Sequence, residues 1–246
     1  MADLTNDFVA QIREAAAAHC PLTIEGAGSK RWYGNPVVAQ RALATTGHHG
    51  IVDYDPAELV LTARCGSTLA DIEATLAERG QMLAFEPPRY APESTLGGAI
   101  ATALSGPCRP FVGGVRDFVL GMHVIDGKGD VLKFGGQVMK NVAGYDVSRL
   151  MTGSLGVLGL ITQVSLKVLP VPVATATLRF ELSQAEAIRR VNEWSGKPLP
   201  LTASAWENDT LHIRLSGARA AVESAIHQMR GVLLDVPGAK ALWDGL

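Results

Sequence analysis

Apolar residues recur at helical spacing near the start of the chain. Phe8, Ile12 and Ala15 or Ala16 fall on one face and predict an amphipathic helix over residues 5–19. "PLTIEGAGSKRWYGNP" then reads as a short strand running into a glycine turn, and "AELVLTARC" as another strand. "GSTLADIEATLAERG" predicts a helix with Ser67 or Thr68 as its N-cap, Leu69, Ile72 and Leu76 on its apolar face, and Gly80 as its stop. "QMLAFEPP" reads as a strand ended by prolines. "DFVLGMHVIDGKGDVLKFGG" predicts two strands around an Asp-Gly-Lys-Gly turn, and "GLITQVSLKVLPVP" a long strand before a proline break.

The texture changes after Pro172. Strand, helix, strand, strand, helix, strand follow in order: "TATLRFEL", a helix from Ser183, "LTASAWE", "TLHIRLS", a helix from about Gly217, and "VLLDV". Ser183 and Glu186 form a capping-box pair. This βαββαβ order predicts a ferredoxin-like split βαβ domain over 173–246 after a first domain over 1–172, an α+β organisation. The closing "PGAKALWDGL" looks like the beginning of another element, so the second domain reads as incomplete.

Composition narrows the function. The 246 residues carry a net charge of −2, which leaves no electrostatic footprint for nucleic acid. The longest uncharged stretch, residues 150–166, holds three glycines and several hydroxyl groups and is too polar to span a bilayer. The acidic opening lacks the apolar core of a secretory signal, and a cytoplasmic protein is expected. Cys20, Cys65 and Cys108 lie more than forty residues apart, with no spacing for zinc or an iron–sulfur cluster. His48 and His49 read as part of a polar loop.

Candidate chemistry lies in three glycine-rich clusters. "EGAGSKR", residues 25–31, lacks the helix that a dinucleotide-binding turn must open, and its third glycine position holds Arg31. It is either a plain tight turn or a nest of backbone N–H groups able to bind an anion. "TLGGAIATALSGP", residues 95–107, offers close backbone approach at Gly97 and Gly98 with small hydroxyls at Thr95, Thr102 and Ser105, or simple helix packing. "TGSLGVLGLIT", residues 152–162, has glycine at every third position before a strand, or is a turn with a bulge. Together the clusters suggest loops folded around one long, phosphate-bearing ligand. Six glycines crowd residues 135–159, where each costs about 0.5–1 kcal/mol in a regular element, so something must approach that backbone closely.

These motifs, with "FEPP" before the second cluster and "KNVAGYD" before the third, resemble the FAD-binding domain of the vanillyl-alcohol oxidase/PCMH superfamily over about residues 5–172. Within it, "KNVAGYD" followed by "TGSLGVLG" is similar to the D-lactate dehydrogenase and glycolate oxidase branch. "GGQVMKNVAGYDVSRLMTGSLG" most resembles the FAD-binding subunits (E subunits) of glycolate oxidases. The resemblance implies a PCMH-type FAD-binding domain of two α/β subdomains followed by a ferredoxin-like cap. It implies that Gly26, Ala27, Gly28, Ser29 and Lys30 cradle the FAD pyrophosphate. Thr95, Gly97, Gly98, Thr102, Ala103 and Ser105 would line the pyrophosphate and flavin ring, with Pro88 nearby. Gly153 and Gly156 would pass close to the cofactor, and the backbone of Ile161 would contact the adenine half.

The first turn contains no histidine or cysteine, so non-covalent FAD is expected; Cys108 reads as a free thiol in a loop. The implied function is oxidation of glycolate, or a similar 2-hydroxy acid, to glyoxylate. Electrons would leave through a second flavin subunit and an iron–sulfur subunit, which would also place the chain at the inner membrane's edge. The alternatives are a stand-alone FAD-dependent dehydrogenase of another hydroxy acid or alcohol, or a non-catalytic flavin-binding assembly subunit. As candidates for the cation and base that a 2-hydroxy acid needs, the second domain offers Arg214, His212 and His227, on predicted secondary structure without a shared motif and with His212 reading as a sheet-face residue. Lys140, Asn141, Tyr145 and Asp146 match the branch motif, as contact residues or as a loop lock; no catalytic residue is assigned.

Overall fold

The first apolar stripe folds as expected and shows what the N-terminal helix is for. In a computed structural model, which describes residues 3–35, 39–136 and 144–246, helix α1 (Thr5–Ala17) buries Phe8 and Ala15. Phe8 packs with Leu43, Ile125 and Leu160, and Leu4, Val9, Ile12 and Leu22 close around them. The strand β1 (Leu22–Glu25) pairs in parallel with β2 (Arg41–Ala44). Strands β3 (Ile51–Asp55) and β4 (Val60–Arg64) follow, then α2 (Leu69–Ala77), capped by Thr68, whose hydroxyl accepts the Asp71 N–H. The next elements are the two-residue β5 (Gln81–Met82), α3 (Leu96–Thr102) and the short α4 (Arg109–Val112).

Strands β6 (Val119–Ile125) and β7 (Val131–Gly135) form the expected hairpin. At its tip the Asp126 carboxylate accepts the N–H groups of Lys128 and Asp130 at 2.8 and 2.9 Å. After α5 (Val147–Met151), strand β8 (Leu160–Lys167) runs down the middle of an antiparallel five-stranded sheet in the order β3-β4-β8-β6-β7. β8 is buried on both faces, with Thr162 and Ser165 buried beside Leu160, Ile161, Val164 and Leu166. Strand β9 (Leu169–Pro170) ends this part of the chain.

The rest follows the expected βαββαβ order: β10 (Ala174–Glu181), α6 (Gln184–Ser195), β11 (Leu201–Glu207), β12 (Thr210–Gly217), α7 (Arg219–Met229) and β13 (Val232–Leu233). The sheet order β11-β12-β10-β13, with the first and third strands adjacent at the centre, is the ferredoxin-like arrangement. Ser183 accepts the Glu186 N–H and caps α6. The closing segment forms α8 (Val236–Asp244), capped by Asp235, and Trp243 Nε1 donates to Thr177 Oγ1 at 2.9 Å.

The chain divides into two compact units. The first contains Met1–Leu83, Pro87–Leu104 and Gly114–Leu169; the second contains Ala84–Glu86, Ser105–Gly113 and Pro170–Leu246. Compared with a single cut at 172, the difference is the assignment of two short segments from the first half to the C-terminal unit. Phe111, on one of them, packs against that unit's core of Leu178, Trp194, Leu211, Ile213 and Leu215. Two other expectations change. The strand expected over 81–88 stops at Met82, because Glu86 takes a left-handed φ of 46° and two prolines follow. β2 and β3 were not anticipated, being four or five residues long with burial on only part of one face. Among the described residues, no helix is long and apolar enough to cross a membrane.

Candidate functional site

The site begins where β1 ends. Gly26, Ala27, Gly28, Ser29 and Lys30 leave the strand as a half-buried turn, with φ of +70° at Gly28. Gly26 has no room for a side chain: a Cβ there would stand 2.6 Å from Thr95 Oγ1. Ser29 Oγ lies 3.2 Å from Ser94 Oγ. The first cluster therefore rests on the residues that start α3. Lys30 Nζ lies 5.7 Å from the centre of the Tyr90 ring, and burial holds its ammonium below the usual lysine range. Arg31 turns back to Glu25 at 2.9 Å, as an exposed pair of little energetic weight.

Thr95 caps α3, accepting the Gly98 N–H at 3.2 Å. Gly97 donates to the Cys65 carbonyl at 2.8 Å, and a Cβ there would approach Cys65 Cβ to 2.9 Å. Its missing side chain thus serves helix packing. The Thr102 hydroxyl donates to the Gly98 carbonyl at 2.8 Å, so it braces the helix instead of presenting a donor outward. At the other end Ala103 takes a left-handed φ of 53°. Near the C-terminus of α3 the carbonyls of Ile100, which also accepts the Ala103 N–H, and Ala101 accept from Gly153 (3.0 Å) and Leu155 (2.9 Å).

The third cluster thereby docks on the second, and a Cβ on Gly153 would lie 3.2 Å from Ala103 Cβ. It also meets the first: a Cβ on Gly156 would lie 3.1 Å from Ile24 Cδ1, at the end of β1. The second cluster thus touches the other two directly, and the third reaches the first through Ile24, the residue that precedes it on β1. The hydroxyl of Ser154, inside the third turn, is buried without a hydrogen-bond partner among the described residues, a cost of about 1–3 kcal/mol unless something else meets it. Beside it, Leu155, Val157 and Leu158 remain 46%, 82% and 50% exposed.

The remaining expected residues fall in several places. Ile161 is buried and pairs with Val124, while the register of β8 with β4 ends at the Arg64–Gln163 pair. Pro88 is half-buried in the N-terminal unit, and Ser105 belongs to the C-terminal unit. Lys140 and Asn141 lie outside the described residues. Tyr145 is fully exposed, and Asp146 caps α5 by accepting the Arg149 N–H at 3.1 Å, a loop-locking role. Ser94, Tyr90 and Ser154 were missed, since none carries a motif of its own and each gains its place only from the folded turns.

Three side chains turn out to be more deeply engaged than their sequence context suggests. His48 lies on the loop between β2 and β3 as expected, but its side chain is buried against Phe8 and its Nδ1 accepts the Leu4 N–H at 3.0 Å, with burial pushing its pKa down. Cys108 is a free thiol on the turn before α4, as expected, but a buried one: it donates to the Ala84 carbonyl at 2.7 Å and is pushed up to about 12, chiefly by burial. Arg214 pairs with Glu86 at 2.5 Å, and its guanidinium carbon lies 5.1 Å from the Trp243 ring centre. His212 sits on β12 opposite Arg179 and Ala205, with its pKa lowered by burial first and Arg179 second; His227 lies in the last turn of α7. No group of three or more metal-ligating side chains occurs among the described residues.

Comparison with known proteins bears on what such turns hold. Residues 2–135 match the family model described as an FAD binding domain. The chain is 48% identical over 229 residues to the glycolate oxidase subunit GlcE of Escherichia coli (strain K12), covering 93% of this chain and 65% of that protein. It is 30% identical over 217 residues to the glycolate oxidase subunit GlcD of Bacillus subtilis (strain 168), covering 86% of this chain and 46% of that protein. The chain thus spans less than two thirds of the length of either relative. Among solved structures, an alkyldihydroxyacetonephosphate synthase superposes with a TM-score of 0.71 at 18% identity, over 92% of this chain and 48% of that one.

Proposed function

Because the chain belongs to the FAD-binding domain family, we propose that it is the FAD-binding subunit of a complex oxidising glycolate or a closely similar 2-hydroxy acid to the 2-oxo acid. The observation that carries this reading is the mutual docking of the three glycine turns. Its residues suit a dinucleotide cofactor. The 26–30 turn combines a run of backbone amides with the Lys30 cation, the donor set that an anionic pyrophosphate needs. The orphaned Ser154 hydroxyl and the exposed Leu155, Val157 and Leu158 supply a polar contact and an apolar wall beside it.

FAD, when bound, supplies the two-electron acceptor for a CH–OH group, and the protein supplies binding, orientation and electrostatics. Gly26, Ala27, Gly28, Ser29 and Lys30 would hold the pyrophosphate, and α3 with the 152–159 turn would shape the remaining wall. Pro88, Thr95, Gly98, Ala103, Gly153, Gly156 and Ile161, all of the N-terminal unit, complete the proposed lining. The roles of Gly97 and Thr102 are to seat and brace α3. Non-covalent attachment is supported by the chemistry of Cys108, since a thiol pushed up to about 12 is protonated and a poor nucleophile near neutral pH.

Electrons are proposed to pass to a second flavin subunit and an iron–sulfur subunit. The relatives GlcE and GlcD are both named as subunits. We place the chain in the cytoplasm, reaching the inner membrane through those partners. The engagement of Arg214 with Glu86 and Trp243 favours a second reading, in which this chain carries flavin and a partner handles the substrate carboxylate.

Anaerobic addition of glycolate to the FAD-loaded chain, alone and in its complex, tests both readings. Bleaching of the flavin band in the isolated chain is the expected result. Bleaching only in the complex transfers substrate binding to the partner. A band that persists in both overturns the glycolate assignment.

A further inference from the structure

We propose that Glu86 and Arg214 are a positioning pair that holds shut the base of the segment carrying α3, and so sets how tightly the chain retains its cofactor. The inference rests on the FAD reading above and concerns residues outside the glycine turns. Residues Pro87–Leu104, which carry α3, belong to the N-terminal unit, whereas the stretches on either side, Ala84–Glu86 and Ser105–Gly113, belong to the C-terminal one. Whatever fixes those two stretches to each other fixes both ends of the α3 segment through the chain itself.

The two stretches are tied three times. Gly106 donates to the Phe85 carbonyl at 3.0 Å, the Cys108 thiol to the Ala84 carbonyl at 2.7 Å, and the Cys108 N–H to Glu86 Oε2 at 3.1 Å. They run so close that a Cβ on Gly106 would stand 2.6 Å from the Glu86 carbonyl oxygen. Closing a loop of this size costs chain entropy, which these contacts must offset.

Glu86 is where the tie is anchored. A glutamate at φ 46° is in an unfavourable backbone region, which persists only where the surroundings over-determine it. Here its second oxygen accepts Arg214 Nη2 at 2.5 Å. Arg214 Nε in turn donates to Thr202 Oγ1 at 3.3 Å, and its guanidinium carbon lies 5.1 Å from the Trp243 ring centre. The side chains are 13% and 28% exposed, so solvent screens the pair only partly, and removing one partner strands the other's charge in a half-buried place. Arg214 thus acts through Glu86 on the base of the loop.

The test is an FAD titration of the full chain, followed by flavin fluorescence, with amide hydrogen exchange read over residues 96–103. Arg214→Met is expected to weaken FAD binding at least tenfold and to raise exchange in α3. Arg214→Lys should recover most of the affinity, and adding Glu86→Gln to Arg214→Met should cost little more. Val222→Ala, which removes volume from the same core without touching the pair, should lower the melting temperature and leave FAD affinity within twofold. Unchanged affinity and exchange in Arg214→Met, or an equal loss in Val222→Ala, would overturn the proposal. A wild-type chain that binds no FAD would overturn the FAD reading instead, and exchange in α3 would still decide whether the pair closes the loop.

Discussion

On β12 of the C-terminal unit, Leu211, Ile213 and Leu215 are buried while Thr210, His212 and Arg214 between them are only half-buried. In the N-terminal unit, the residues that follow Gly153 break that rule: Leu155, Val157 and Leu158 stay largely in solvent although the turn is pinned to α3 by two backbone hydrogen bonds. The first pattern describes a core that completes itself from its own side chains. The second describes a surface rigidly held and left apolar, with the buried Ser154 hydroxyl facing no partner among the described residues. Such a surface is explained by what binds to it, and the two units can be separated experimentally on that basis.

The largest effect is expected in the self-completing core. Leu178 is fully buried and pairs with both Ile213 and Leu233, so Leu178→Ala should cost about 3 kcal/mol by lost transfer and cavity, measured by urea unfolding. FAD should leave that loss largely uncompensated if the cofactor sits on the other unit. Gly26→Val should cost about 2 kcal/mol through overpacking against Thr95. Here the larger consequence is functional, because the displaced turn is the one proposed to hold the pyrophosphate. Ser183→Ala should remove the α6 cap for about 1 kcal/mol, with no effect on flavin binding.

The smallest effect is a pH dependence in the N-terminal unit. Burial depresses the pKa of His48 below its ordinary 6.5, so the unfolded chain binds this proton more readily than the folded one. The associated stability is fully present above pH 6.5 and is lost as pH falls toward the depressed folded value. His48→Gln should flatten that part of a plot of melting temperature against pH.

Much of the C-terminal unit was legible in the sequence because its signals are local. The alternation in β10 to β12, the Ser183 cap and the order of elements each need only a few neighbouring residues. The glycine clusters were legible as unusual, but not as partners. That Gly26 yields to Thr95, and Gly156 to Ile24, depends on contacts across dozens of residues. The same distance hid the roles of Arg214 and Cys108, whose partners Glu86 and Ala84 lie far away in sequence. The burial of His48 was hidden for a related reason, since a histidine on a loop is buried only once α1 folds over it.

The central claim is that the three docked glycine turns form an FAD cradle, and the most direct measurement is an FAD titration of the flavin-free chain beside Gly26→Val. Saturable quenching of flavin fluorescence by the wild type, at least tenfold weaker in the variant, is the predicted result. A wild-type chain that leaves the fluorescence unchanged, or a variant that binds FAD equally well, would contradict it.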